Sequence, residues 1–291
     1  MFKVVNLVKF GVSKLNYLKK ENYHEGHIDP KNGCDWNQMF IIDEKPKLED
    51  FKKTVADYLS WEVSNILKQE SDNNQLEKYF PSFNQQFESI ESSEFKLKDI
   101  FNYELSEREK ESLKLWSNFE FKSFQLDEIF EKISTNKVVR NEQGDLYATT
   151  CTLSNNQLGA KVVSKNATIL KNVISVTANG TAQSFYQSHD FTVLQDSYAL
   201  KLKQSNYIDQ KLGLFLVTNI NQNIKKYNWN NKSGWEKIKS EKILLPIKSN
   251  NEIDYDYINT FINAIIKTII KDLVLYTNKK HEILSNIIKD I

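Results

Sequence analysis

The stretch ISVTANGTAQSFYQSHDFTVLQDSYAL, residues 174–200, decides how this chain is read. It holds Asn179-Gly180, the aromatics Phe185, Tyr186, Phe191 and Tyr198, a lone His189 and an acidic Asp196. One reading makes His189 with Asp190 a general base and Asp196 a catalytic carboxylate. The other sees three strands joined by an Asn-Gly turn and a Ser-His-Asp turn, with Ser188 and Asp190 bonding the local backbone. Asp196 is then a partly buried carboxylate held by hydrogen bonds. The second reading explains every residue without a missing catalytic partner, and it predicts a β-rich scaffold.

The flanking segments extend that scaffold. FKSFQLDEIF, NEQGDLYATTCTL, KVV, ATIL, FTVLQ, YALKL and LGLFLVTNI are short β-rich runs split by Asn, Gly and Ser. They predict a mainly antiparallel β domain with one or two helices, ending near Leu245-Pro246. Cys151 falls among Thr149, Thr150 and Thr152, where a strand with a buried cysteine is expected. A short echo, EFKLKDIF at 94–101 and SFQLDEIF at 123–130, is too brief to establish duplication.

On the N-terminal side, Leu48, Phe51, Val55 and the following apolar residues recur at helical spacing, predicting an amphipathic helix near 48–69 that ends at SDNNQ. Ser106 followed by Glu109 predicts a capping box at the start of a second helix. At the C-terminus, paired apolar residues from Phe261/Ile262 to Ile287/Ile288 predict a long helix from about Asp254, either continuous to the end or broken or kinked at the gap YTNKK. So wide an apolar stripe needs a partner. Its four-residue advance suits packing into a bundle better than a two-stranded coil. The fold class expected is α+β: a mixed, mostly helical N-terminal region at 1–117, a β-rich domain at 118–250 and a long helical segment at 251–291.

Composition excludes several classes. With 40% hydrophobic and 12% aromatic residues, the 291-residue chain can bury a sizeable core. Its net charge of +1 gives no bulk attraction to polyanions, so any such binding must be local. Cys34 and Cys151 are its two cysteines, without CxxC spacing, which argues against a disulfide framework and a zinc site. His24 and His27 in YHEGH lack a clearly spaced third ligand, so a solvated loop is expected there rather than a metal centre. MFKVVNLVKFGVSKL has no long apolar core or small-residue cleavage site, and no run of about 18 apolar residues exists. A cytoplasmic protein without membrane contact is the expectation. Phosphate-loop, GxGxxG, HExxH, GxSxG and kinase patterns are missing, as is the [DNS]-P-P-[YF] signature of amino-methyltransferases.

One segment does carry binding chemistry. From Lys225 to Lys248, lysines stand at 225, 226, 232, 237, 239, 242 and 248, opposed by Glu236 and Glu241. Tyr227, Trp229, Trp235, Asn228, Asn230 and Asn231 are interleaved with them. Lysines neutralise phosphates, and asparagine bonds adenine bidentately. The plainer alternative is a solvated lysine loop with two packed tryptophans.

The order of these parts resembles the target-recognition domain of restriction-modification specificity subunits, in the type I, type IIB and type IIG style. The parts are Phe124 to Phe130, Ala178-Asn179-Gly180, Phe185-Tyr186-Gln187, Gln195-Asp196, Lys232 to Lys239 and Ile243 to Pro246, followed by the long helix. The likeness covers about 119–265. It implies a non-catalytic reader of double-stranded DNA that positions a partner methyltransferase subunit, with a restriction subunit in some systems. S-adenosylmethionine and magnesium then belong to those partners, and this chain has no cofactor. Lys225, Lys226, Lys232 and Lys237 are the expected phosphate contacts, and Asn228, Asn230 and Asn231 the candidate base readers. For Trp229 and Trp235, packing in the core or at a domain face is expected. One clear recognition domain is visible where the type I pattern has two. That implies either self-pairing through the C-terminal helix, reading a symmetric split site, or a divergent first domain in 1–117. Two other classes stand beside this reading: a stand-alone DNA-modifying or DNA-cleaving enzyme with unrecognised motifs, and a protein whose terminal helix simply mediates interaction.

Overall fold

The computed structural model describes residues 45–73 and 103–289, with side chains described for 45–65 and 103–275. His24, His27, Cys34 and the EFKLKDIF repeat lie outside those residues. Two compact units are present: a β-rich one, whose described residues are 45–54 and 111–263, and a helical one comprising 55–73, 103–110 and 264–289.

Three helices contribute residues to both units: α1 (Leu48–Asn73), α2 (Glu107–Leu115) and α6 (Tyr255–Lys289). The α1 helix ends at Asn73, within the SDNNQ stretch expected to stop it. The continuous alternative holds at YTNKK: α6 is one helix of 35 residues, about 52 Å at 1.5 Å per residue. Polar residues interrupt an apolar stripe without breaking the backbone hydrogen bonds of a helix.

Within the helical unit, the capping box forms as expected. Ser106 N–H donates to Glu109 Oε2 at 2.8 Å, and Glu109 N–H donates to Ser106 Oγ at 3.3 Å. Glu109 is buried and also accepts from Lys267 Nζ at 3.0 Å. One carboxylate therefore closes the N-terminus of α2 and holds a cation of α6.

Among its described residues the β-rich unit contains three sheets. β1 (Phe121–Gln125) pairs antiparallel with β9 (Lys242–Pro246), joining the beginning and end of the unit. The central sheet has the order β2 (Phe130–Lys132), β8 (Ser197–Leu202), β5 (Val173–Thr177), β6 (Ser184–Gln187), all antiparallel. The third has the order β4 (Leu158–Val162), β3 (Leu146–Thr149), β7 (Thr192–Val193). Here β3 and β7 run parallel, and the Ser-His-Asp turn leads from one sheet to another. Residues 174–200 thus supply three strands of the central sheet and one of its neighbour.

Other segments depart from the expected strands. LGLFLVTNI lies in helix α4 (Gln210–Ile224). Leu212 through Ile220 are all buried, so the segment has no polar face to reveal a helical period. Asp209 caps the helix, accepting from the backbone N–H of Lys211 and Leu212 at 3.0 and 3.1 Å. FKSFQLDEIF is broken by the short helix α3 (Leu126–Ile129), and ATIL forms a single bridge, Leu170 to Phe191. Cys151 follows β3 in a bend and is half-buried rather than buried on a strand.

Side chains of α4 and of the turn preceding β4 cover the outer edge of β6. Ser184 N–H donates to Asn221 Oδ1 at 2.7 Å, and Asn221 Nδ2 donates back to Ser184 O at 3.1 Å. Asn156 Nδ2 donates to Tyr186 O at 2.8 Å. Two asparagine amides occupy backbone groups that an open edge would offer to another strand. Behind α4, Phe51, Trp116, Phe215 and Phe261 form an aromatic cluster with ring centroids 4.5 to 6.2 Å apart. Trp116 Nε1 donates to Pro46 O at 3.2 Å, so its polar edge is also satisfied.

Gly213 sets how closely α4 approaches β6. A Cβ there would lie 2.3 Å from Tyr186 Cδ2. The Tyr186 ring cannot swing away easily, because its hydroxyl lies 2.9 Å from Ile208 O and 3.1 Å from Asn172 Oδ1. Gly213→Ala is expected to destabilise the chain by about 1–3 kcal/mol through overpacking, read as a lower urea midpoint. An unchanged midpoint would mean that the contact is not tight.

Candidate nucleic-acid interface

Helix α4 ends at Ile224 and delivers the lysine-rich segment to one end of the central sheet. Lys225 and Lys226 follow the helix C-terminus, where the helix dipole favours cations. Tyr227 turns back into the core. Its N–H donates to Ile224 O at 2.9 Å, and its carbonyl accepts from Ala182 N–H at 3.1 Å. Its hydroxyl donates to Glu241 at 2.5 Å. Burial first, and then the Glu241 carboxylate, push this phenol well above its usual range, so it stays a donor.

Residues 228–231 form a tight turn. Asn228 and Asn231 exchange backbone N–H···O bonds at 2.9 and 3.1 Å. Asn228 Oδ1 accepts from the N–H groups of Asn230 and Asn231 at 2.9 and 3.2 Å. The chain is pinned again at Ser233, which is buried. Ser233 Oγ donates to Thr177 O at 2.6 Å, and Tyr198 Oη donates to Ser233 O at 2.7 Å. The short helix α5 (Trp235–Ile238) then leads into β9.

The turn sits beside the β5–β6 loop, residues 178–183. Asn179-Gly180 is part of that six-residue loop and not a two-residue hairpin turn. Gly180 has φ +86°, and a Cβ there would meet the Trp229 ring at 3.4 Å. Asn179 Nδ2 donates to Asp196 Oδ1 at 2.5 Å, tying this loop to the turn before β8. Asp196 is half-buried and held by this hydrogen bond. His189 lies exposed in its bend, and Asp190 faces Lys171 Nζ at 3.8 Å.

The candidate residues thus share one loop but differ in state. Lys225 and Lys232 are exposed, and neither has a hydrogen bond or ion pair among the described residues. Lys226 is paired with Glu241 at 2.8 Å. Lys237 donates to Asn231 Oδ1 at 2.7 Å, a neutral partner that leaves its charge uncompensated. Asn228 spends its carbonyl oxygen on the turn, Asn230 is exposed, and Asn231 is half-buried. Trp229 is 64% exposed, contrary to the packing expected of it, because it stands at the tip of a turn of asparagines. Trp235 is half-buried. No group of three or more His, Cys, Asp or Glu is placed to hold a metal among the described residues, and no helix there is long and apolar enough to cross a membrane.

The β-rich unit thus presents a pinned, cationic, asparagine-rich turn. The family model for the type I restriction modification DNA specificity domain matches residues 89–274. The chain belongs to this family. Among the described residues, the match takes in all nine strands and α4. Among similar proteins is the type II restriction enzyme BgcI specificity subunit of Heyndrickxia coagulans. It is 29% identical over 153 residues, which is 51% of this chain and 44% of that protein. Among solved structures, the S subunit of a type I restriction-modification system from M. genitalium aligns over 84% of this chain and 59% of its own, at 15% identity and a TM-score of 0.40. The HsdS subunit from Thermoanaerobacter tengcongensis aligns over 77% and 53%, at 8% identity and 0.37. The chain therefore spans about half the length of these relatives.

Ser233 is a pin that no sequence pattern marks; only its place between Lys232 and Gly234 hints at a turn. Ser233→Ala removes the bond to Thr177 O, at a cost of about 1–2 kcal/mol. Backbone amides of 228–234 are expected to exchange faster while those of β5 and β8 keep their protection. Equal protection throughout would show that the loop is held by other interactions.

Proposed function

We propose that this chain is the DNA-reading component of a restriction-modification assembly, and that catalysis resides in partner subunits. The observation that carries the proposal is the pinned lysine-asparagine turn, borne by a chain of the DNA specificity family. Lys225 and Lys232, with Lys237, supply the sequence-independent attraction to phosphates that fixes register on the duplex. Asn230, with Asn228 and Asn231 to the extent that the turn leaves their amides available, reads base edges. An asparagine amide suits the donor and acceptor pattern of adenine in the major groove.

The same proposal gives the rest of the chain its role. The α6 helix, with its apolar stripe, acts as spacer and as docking surface for a methyltransferase subunit or a second copy. S-adenosylmethionine and magnesium are bound by the partners, as are the residues that handle the base to be methylated.

The test is binding of duplex DNA by the full chain, alone and with a co-expressed methyltransferase subunit, over a range of salt. Lys225→Glu with Lys232→Glu is expected to weaken binding and to flatten the log K against log salt slope by about 0.9 for each phosphate no longer neutralised. An unchanged slope would place the DNA on another face. Turnover of DNA by the purified chain with magnesium and no partner would overturn the non-catalytic assignment.

A further inference from the structure

We infer that Trp229 is itself a direct DNA contact, its indole packing against sugar and base edges beside the phosphates held by the neighbouring lysines. This inference rests on the DNA-reading function proposed above and adds a non-ionic contact to it. Three observations carry it. First, the ring is 64% exposed, though the buried faces of β5, β8 and α4 lie within the same unit. The indole N–H has no hydrogen-bond acceptor among the described residues. Second, the exposure is built in. The Asn228 side chain closes the turn, Tyr227 and Ser233 pin its two ends, and Gly180 leaves the ring a seat where φ +86° disfavours any other residue. An aromatic side chain held in advance loses little conformational freedom on binding.

Third, the surrounding charge selects the occupant. Lys225, Lys232 and Lys237 flank the ring in sequence. The acids of the segment are already engaged, Glu241 by Lys226 and Glu236 by Lys239 at 2.6 Å. A second copy of this surface would bring lysines against lysines, whereas a polyanion meets complementary charge. Aromatic contact with sugars and bases tolerates sequence variation, so Trp229 adds affinity more than specificity.

The experiment measures binding of a random-sequence pool of duplex DNA by the full chain, at several salt concentrations. Trp229→Ala is expected to weaken binding by about five- to a hundredfold, with the salt slope unchanged because the number of counterions released stays the same. Trp229→Phe, which keeps a ring, is expected to retain most of the affinity and guards against a folding artefact. Binding by the alanine variant within twofold of the unaltered chain, while the paired lysine reversals weaken it, would overturn the contact and leave the DNA-reading function standing. A weakening accompanied by a shallower slope would mean that the lysines had moved with the turn, and would also overturn it. No binding by the unaltered chain, with or without the methyltransferase subunit, would overturn both readings.

Discussion

The close approach of α4 to β6 is the interaction on which the β-rich unit depends. Gly213 lets the Tyr186 ring lie against the helix backbone, and Asn221 grips both backbone groups of Ser184 one helical stretch further on. These two points fix the helix along the strand. One side of α4 then faces the sheet while Phe215 enters the aromatic cluster with Phe51, Trp116 and Phe261. A helix buried on every side has little freedom to slide, because a shift would leave cavities on both faces. Its C-terminal end is where Lys225 begins. The position of the candidate interface is therefore inherited from core packing, not from interactions within the loop alone.

How the interface distributes charge follows from one largely buried acid. Glu241 receives the Tyr227 hydroxyl and the Lys226 ammonium together. The first bond anchors the loop. The second compensates the charge of one lysine. Counting lysines along the sequence therefore overstates the positive field, and it ranks them wrongly. Lys226 stands next to Lys225 in sequence yet carries a compensated charge, while Lys237 keeps its charge because its partner is the neutral amide of Asn231.

Local signals are legible in the sequence, and signals that depend on tertiary contact are not. Ser106 and Glu109 read as a capping box because both partners lie within one turn of helix. The central strands are readable because Asn179-Gly180 and Ser188-His189-Asp190 interrupt them. LGLFLVTNI reads as a strand because total burial erases the helical period; the polar evidence for a helix sits outside it, at Asp209 and Asn221. The candidate loop is visible as a run of lysines and asparagines. The state of each side chain is not, because it depends on Glu241, Ser233 and Gly180. Gly180 lies some fifty residues upstream of Trp229, and no pattern in either segment announces that they meet.

Under the proposed function, rigidity and base reading place different demands on the same asparagines. A turn that fixes its own backbone through Asn228 Oδ1 has spent an acceptor that a base edge would otherwise use. Asn231 likewise offers its oxygen to Lys237. Among the three, Asn230 keeps a side chain with no hydrogen bond among the described residues, and it follows the exposed Trp229 at the tip. The outer asparagines shape the turn, and the inner pair, Trp229 and Asn230, face outward. A short, pinned loop thus separates the residues that hold it from the residues free to meet a partner. The chain can then vary the outward pair without disturbing the fold that presents it, since neither side chain supports the core.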